Sequence, residues 1–187
     1  MNDVNHYLNP AEEKMELAVE YLDEALAHIR AGKANPKILD GIRVDYYGSA
    51  APISNVANIS VPDARTIAIT PWEKKMLKDI TSALAAANLG VNPTNDGECV
   101  KLFFPPMTKE DREKSAKEAK AMGEKAKVSV RNIRKEANDE IKKIEKDKSM
   151  GEDEIKRGYD DVQKLTDKFI EKIDELVAHK ESELMKI

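Results

Sequence analysis

The stretch from Ala119 to Lys146 reads AKAMGEKAKVSVRNIRKEANDEIKKIEK and contains no proline. Ala119, Met122, Ala126, Val130, Ile133, Ala137, Ile141 and Ile144 recur at steps of three and four, which places them on one stripe of an α-helix. Toward the N-terminus the pattern continues to Thr108, where Glu110 and Asp111 favour the positive end of a helix dipole and Pro105-Pro106 break the chain just before. The sequence predicts one long helix from Thr108 to about Lys148, with Gly123 as an interior cost of about 1 kcal/mol. Ser149-Met150-Gly151 turns the chain, and a last helix follows, seamed by Ile155, Val162, Leu165, Phe169, Ile173, Leu176 and Leu184.

A third stripe lies at the other end of the chain: Met15, Ala18, Leu22, Ala25 or Leu26, and Ile29. Pro10 suits the first turn of that helix, Asn9 its cap, and Glu12 and Glu13 its positive end. Ala31-Gly32 is read as its stop. Between residues 32 and 106 the texture changes, for this region holds seven of the eight prolines and five of the eight glycines. Short β-like runs occupy 42–47, 57–61, 66–70 and 99–104, with a hairpin turn over 61–65 and a short helix from Lys74 to Ala87. Three amphipathic helices must bury three stripes. The expected fold class is therefore α+β: a three-helix bundle from residues 1–30 plus 107–187, with a small domain inserted over 31–106. Two segments join the parts, near Arg30, Gly32 and Lys33 on one side and Pro105 and Pro106 on the other. Gly32 widens the accessible backbone angles and the two prolines narrow theirs, which reads as one compliant strand beside one stiff strand. The plainer alternative leaves Gly32 as a helix stop.

The composition agrees. Of 187 residues, 35% are charged and only 5% aromatic, which suits long solvated helices with narrow apolar seams rather than a wide β core. The net charge of −4 gives no sign of a nucleic-acid binder, but it is unevenly spread. Residues 108–148 carry 14 basic against 10 acidic side chains, while residues 1–30 carry 2 against 7. From Lys125 to Lys135 there is no acid, and Lys125, Lys127, Arg131, Arg134 and Lys135 are basic. At about 100° per residue, Lys127, Arg131 and Arg134 fall within about 60° of one another and roughly 120° from the apolar seam. Two readings stand: a solvated face paired along the helix to Glu124, Glu136 and Asp139, or a face for an anionic polymer whose phosphates the arginine forks would hold.

Several chemistries lack their residues. There is no phosphate-cradling glycine loop, and His6, His28 and His179 are scattered without metal-ligand spacing, so no metal or cofactor is expected. The numerous carboxylates sit on helix faces where nothing confines them, and no nucleophile–base pair stands out. The single cysteine, Cys99, is expected to be a buried structural thiol. Trp72 is expected in the core or lid of the inserted domain, with a contact surface as the alternative. Met1 to Asn9 has no apolar core and no run reaches the length of a membrane helix, so a cytoplasmic, membrane-free monomer is expected.

Several strings together resemble the bacterial ribosome recycling factor family: Arg30-Ala31-Gly32-Lys33-Ala34-Asn35-Pro36, Val44-Asp45-Tyr46-Tyr47-Gly48, Asn88-Leu89-Gly90-Val91-Asn92-Pro93, Phe104-Pro105-Pro106-Met107-Thr108, and Val130 to Asp139, RNIRKEAND after the valine. They occur in order along nearly the whole chain. The resemblance implies an L-shaped molecule in which the inserted domain is β/α/β. It implies a non-enzymatic factor that binds the post-termination ribosome on large-subunit ribosomal RNA. With elongation factor G and GTP, such a factor splits the ribosome into subunits. It assigns Arg134 and Arg131 to ribosome binding, and the basic face read from the sequence adds Lys127 and Lys135 as candidate contacts. The chain departs at Lys33, where many members carry Arg, and at Lys109-Glu110-Asp111-Arg112, where Glu-Glu-Arg-Arg is more usual; Arg112 stays eligible as a contact. A chaperone-like coiled coil and an enzyme built on the inserted domain are the rival classes. The first would need an apolar helix tip beyond Met150, and the second a nucleophile–base pair.

Overall fold

In the computed structural model, which describes residues 5–30 and 32–186, the chain divides into two compact units. The first comprises residues up to Leu26 together with Ala116–Ser182, and the second Ala27–Ser115 with Glu183 onward. The divisions fall at 26/27 and 115/116, against the expected 30/31 and 106/107.

Three long helices carry the first unit: α1 (Asn5–Ala27), α4 (Lys109–Lys146) and α5 (Glu152–Met185). Tyr7 and Ala11 of α1 pack with Ala137, Ile141 and Ile144 of α4 and with Ile155 and Val162 of α5 in one core. All three stripes therefore meet. Thr108 caps α4, its hydroxyl accepting the Asp111 amide at 3.1 Å. The interior glycines have a packing reason. A Cβ on Gly123 would stand 2.6 Å from Val177 Cγ2, and one on Gly158 would collide with the Tyr7 hydroxyl. Each glycine lets neighbouring helices approach closely, which offsets its helix-propensity cost.

Two expectations for α1 fail. The helix runs from Asn5, so Pro10 lies in its second turn and Asn9 is not its cap. Pro10 cannot donate to the carbonyl four residues back, normally a cost of about 3 kcal/mol. The burial of Tyr7 and Ala11 in the three-helix core supplies the compensation. At the other end the helix stops at Ala27, before the expected Ala31-Gly32; Ala31 lies outside the described residues. Ile133, expected mid-seam, is half-buried at the rim of that core, between the fully buried Val130 and Ala137.

The second unit contains six strands in two antiparallel sheets. β1 (Arg43–Tyr46) pairs with β2 (Ser49–Pro52). β3 (Ala57–Asp63), β4 (Thr66–Pro71), β5 (Pro93–Asn95) and β6 (Val100–Phe103) form a sheet in the order β3-β4-β6-β5. The one-turn α2 (Ile53–Val56) leads into β3, and α3 (Leu77–Ala86) packs Leu77, Ile80 and Leu84 into a core shared with Ile67, Ile69, Val100, Leu102 and Phe104. The β1–β2 turn is Tyr47-Gly48, both at positive φ (51° and 85°), a geometry whose twist suits a two-residue hairpin. In β3, Val61 and Pro62 together oppose Ile67 alone, a bulge that accommodates a proline without a ladder donor.

Two side-chain placements are corrected. Trp72 is 70% exposed, since it follows the end of β4 and leaves the core to Pro71 and Met76. Cys99 is half-buried rather than buried, because it precedes β6 in a loop organised by Asp96. Its thiol donates to Asp96 Oδ2 at 3.4 Å, and partial burial, reinforced by that carboxylate, pushes its pKa up.

Candidate functional site

The cations singled out on α4 separate into two groups. Lys127 is committed within its own unit. Its side chain is only 18% exposed, and its ammonium lies 2.5 Å from Asp174 of α5 and 3.5 Å from Glu124. The hydrogen bond to Asp174 raises its pKa above the usual lysine value. It sits in a groove between α4 and α5 that also holds Gly123, Glu124, Asp174 and Val177. Of the pairs proposed along the helix, Glu124–Lys127 forms, whereas Glu136 is drawn 3.1 Å from Lys14 of α1 instead.

Arg131, Arg134 and Lys135 behave differently. Arg131 and Lys135 are exposed and Arg134 is half-buried. Among the described residues no carboxylate lies within ion-pair distance of any of the three. A helix with ten acids in and around it leaves these three cations unmatched while pairing Lys127, Lys120 and Lys143. Asn138, which the sequence reading passed over, shares this face, four residues beyond Arg134 and seven beyond Arg131. Its side-chain oxygen is buried without a hydrogen-bond partner. Only that orphaned oxygen marks it, and no periodicity argument could have found it.

The joining residues lie in the second unit. Gly32 adopts φ +30°, a left-handed conformation that disfavours any side chain, and its amide donates to Met107 Sδ at 3.3 Å. The Arg30 guanidinium stands 5.5 Å over the Phe104 ring. Burial pulls the Arg30 pKa down, partly offset by Asp111, and its Nε and Nη2 are buried without a partner. Arg112 is half-buried, and its Nε is likewise orphaned, so its fork is less open than that of the exposed Arg131. Lys33, Pro105 and Pro106 are exposed. No described group of histidine, cysteine and acidic side chains could hold a metal ion, and no described helix is long and apolar enough to cross a membrane.

A helical bundle that presents unpaired arginines along one helix, joined to a small sheet domain by two chain segments, is the class of protein that docks on a polyanion rather than one that transforms a small substrate. Comparison with known proteins identifies the particular family. The sequence model of the ribosome recycling factor family matches residues 22–185, and the chain belongs to that family. It is 64% identical over 170 residues to a ribosome-recycling factor of Campylobacter fetus subsp. fetus, covering 91% of this chain and 92% of the relative. It is 59% identical over 184 residues to that of Campylobacter jejuni strain RM1221, covering 98% and 100%. A solution structure of a ribosome recycling factor superposes over the full length of both chains with a TM-score of 0.85 at 35% identity. A second similar structure is the Thermus thermophilus ribosome recycling factor described, with Escherichia coli elongation factor G, on the Escherichia coli post-termination complex. Its TM-score is 0.67 at 36% identity, covering 98% of this chain and 100% of that one.

Proposed function

We infer that this protein recycles ribosomes. It binds the post-termination ribosome and, with elongation factor G and GTP hydrolysis by that factor, separates the subunits so that messenger and transfer RNA are released. The reading rests on family membership along nearly the whole chain, and one structural observation gives it a surface: the cations Arg131, Arg134 and Lys135 on α4, unmatched among the described residues. Two arginine forks and an ammonium one turn apart suit successive phosphates of large-subunit ribosomal RNA. Lys127 supports the face from behind by tying α4 to α5 rather than by touching RNA. Arg112 is a further candidate contact, and the joining residues Arg30, Gly32, Lys33, Pro105 and Pro106 serve the connection between the helical domain, assigned to residues 1–30 plus 107–187, and the inserted domain. The factor is a cytoplasmic monomer without catalytic residues, and the chemistry of splitting belongs to its GTPase partner.

The test is breakdown of polysomes by the purified protein with elongation factor G and GTP, repeated with Arg134→Ala. The expected result is breakdown by the wild type and its loss in the variant. Inactivity of well-folded wild type with its cognate elongation factor would refute the reading.

A further inference from the structure

Both joining segments are fastened to one place. The β3–β4 turn is Ala64-Arg65, and the turn carbonyls, which in most hairpins face water, are both used. The Ala34 amide donates to the Ala64 carbonyl at 2.7 Å, and the Phe104 amide donates to the Arg65 carbonyl at 2.7 Å. Ala34 belongs to the segment entering the inserted region and Phe104 to the segment leaving it. Neither turn residue has positive φ, so this is not the primed turn that two-residue hairpins favour. Asp63 holds it instead: one carboxylate oxygen accepts the Arg65 amide at 2.8 Å, and Thr66 also bonds to the carboxylate. This is an Asx turn, in which a side chain substitutes for a backbone acceptor. The bulge at Val61-Pro62 lies immediately before it.

Just outward of these bonds the fastening weakens. The next cross-link is the Gly32 amide on the Met107 thioether at 3.3 Å, and thioether sulfur is a weak acceptor. Gly32 is also the residue with left-handed φ. Two short N–H···O bonds at residues 34 and 104 are thus followed by a soft link at residues 32 and 107.

We propose that Asp63 is a positioning residue for subunit splitting: its carboxylate shapes the Ala64-Arg65 turn into a double clamp on both joining segments, which, with Lys33 itself held in a β-bridge, confines bending to Gly32 and residues 105–107. The proposal rests on the recycling function inferred above. A clamp on both segments gives the pivot a fixed inner boundary, so displacement of the inserted domain is transmitted rather than absorbed by fraying of its own edges. Asp63 itself makes no contact with RNA in this role and acts through two backbone carbonyls.

Amide hydrogen exchange of the isolated full-length protein tests the clamp without any ribosome. In Asp63→Ala, exchange at Ala34 and Phe104 should accelerate together by about fivefold, the equivalent of one lost net hydrogen bond, while Ile69 and Val100 inside the sheet stay unchanged. Asp63→Asn, whose amide oxygen can accept the same bond, should restore both. Unchanged exchange at Ala34 and Phe104 in Asp63→Ala overturns the clamp. If Ile69 and Val100 also exchange faster, the module has loosened globally. Asp63→Glu then repeats the comparison with the charge kept and the turn geometry lost, and is judged by the same readings. Light-scattering kinetics with elongation factor G and GTP test the role. Splitting should slow severalfold in Asp63→Ala while affinity for empty ribosomes stays within about twofold. Normal splitting with a released clamp overturns the positioning role. Failure of the wild type to split ribosomes would instead strike at the function and leave the exchange result standing.

Discussion

Replacing Arg134 by alanine should weaken ribosome binding by roughly 10- to 100-fold at moderate salt while leaving the fold intact. The magnitude follows from the side chain's surroundings. Among the described residues Arg134 has no carboxylate partner, so none of them competes for its fork and none is orphaned when it is removed. A hydrogen bond to a charged group contributes about 1.5–3 kcal/mol, which converts to that range of affinity. Because the residue is half-buried, its stem covers some apolar surface, and truncation should cost up to about 1 kcal/mol of stability through lost packing. Three unmatched cations also set a salt dependence. If each neutralises one phosphate, log affinity should fall with log salt with a slope of about −2 to −3, and Arg134→Ala should reduce the slope by about 0.7–0.9. Lys127→Ala is the internal control. It removes the bond to Asp174, so it should lower stability by up to about 1 kcal/mol and change the salt slope little. Sedimentation of labelled protein with large subunits across a salt series measures all of this. A flat wild-type salt response, or an Arg134→Ala variant with wild-type affinity and slope, would refute the assignment of the face. A Lys127→Ala variant that loses more binding than Arg134→Ala would show that the working cations had been divided wrongly.

Other perturbations follow from the same structure. Ile141 is completely buried where α1, α4 and α5 meet, so Ile141→Ala should cost about 2–5 kcal/mol in denaturant unfolding, whereas Ile133→Ala at the rim should cost clearly less; equal costs would contradict the packing. Asp96 accepts the amides of Glu98 and Cys99 at 2.9 Å each and lies 3.6 Å from Lys101, which together hold its carboxyl down to about 2. Its folded pKa lies below the unfolded value, so its contribution is present above about pH 4 and is lost as pH falls toward 2. Carbon-detected carboxyl titration of the folded protein should show it, and an ordinary midpoint would count against the loop geometry. Trp72, the only tryptophan, should emit as a solvent-exposed indole and be quenched readily by iodide; protected, blue-shifted emission would restore the core placement that the structure rejects.

The long helices were readable because their apolar steps are strict and their ends carry local chemistry. Thr108 caps α4 as its position suggests, and the α5 seam buries Ile155, Val162, Phe169, Ile173 and Leu184. What escaped was set by partners distant in sequence. Pro10 looked like a helix start because the compensating burial of Tyr7 against Ile141 and Val162 cannot be seen from residues 5–15. The azimuth of Lys127 on the cationic face was legible, but its pair with Asp174 on another helix was not. β2 went unseen because Ser49, Ala50 and Ala51 are poor strand formers, recruited by the Tyr47-Gly48 turn rather than by their own preference. β5 has three residues and begins with a proline, which an edge strand tolerates. Asp63 read as turn chemistry, correctly, but its use as an anchor for residues 34 and 104 depends on two long-range bonds that no window of sequence contains.

Holding and yielding therefore fall to different residues. A factor driven by a GTPase must keep its grip while part of it is displaced, and a grip spread over a soft element would dissipate the push. The cationic face lies on a 38-residue helix whose neighbours are drawn in at Gly123 and Gly158, where even a methyl group would collide. Close packing of that kind resists bending, since interiors at this density deform little. On the proposed reading, compliance falls instead where the backbone is least encumbered. Among the described residues beyond its chain neighbours, Gly32 has no atom within 4 Å of where a Cβ would be, and its amide is tied across to a thioether. The two prolines opposite limit the directions in which that freedom can be used. The Asp63 turn marks where freedom ends and the sheet domain begins. If both proposals hold, binding strength and the path of motion can be tuned by separate substitutions, Arg134 for the first and Asp63 for the second.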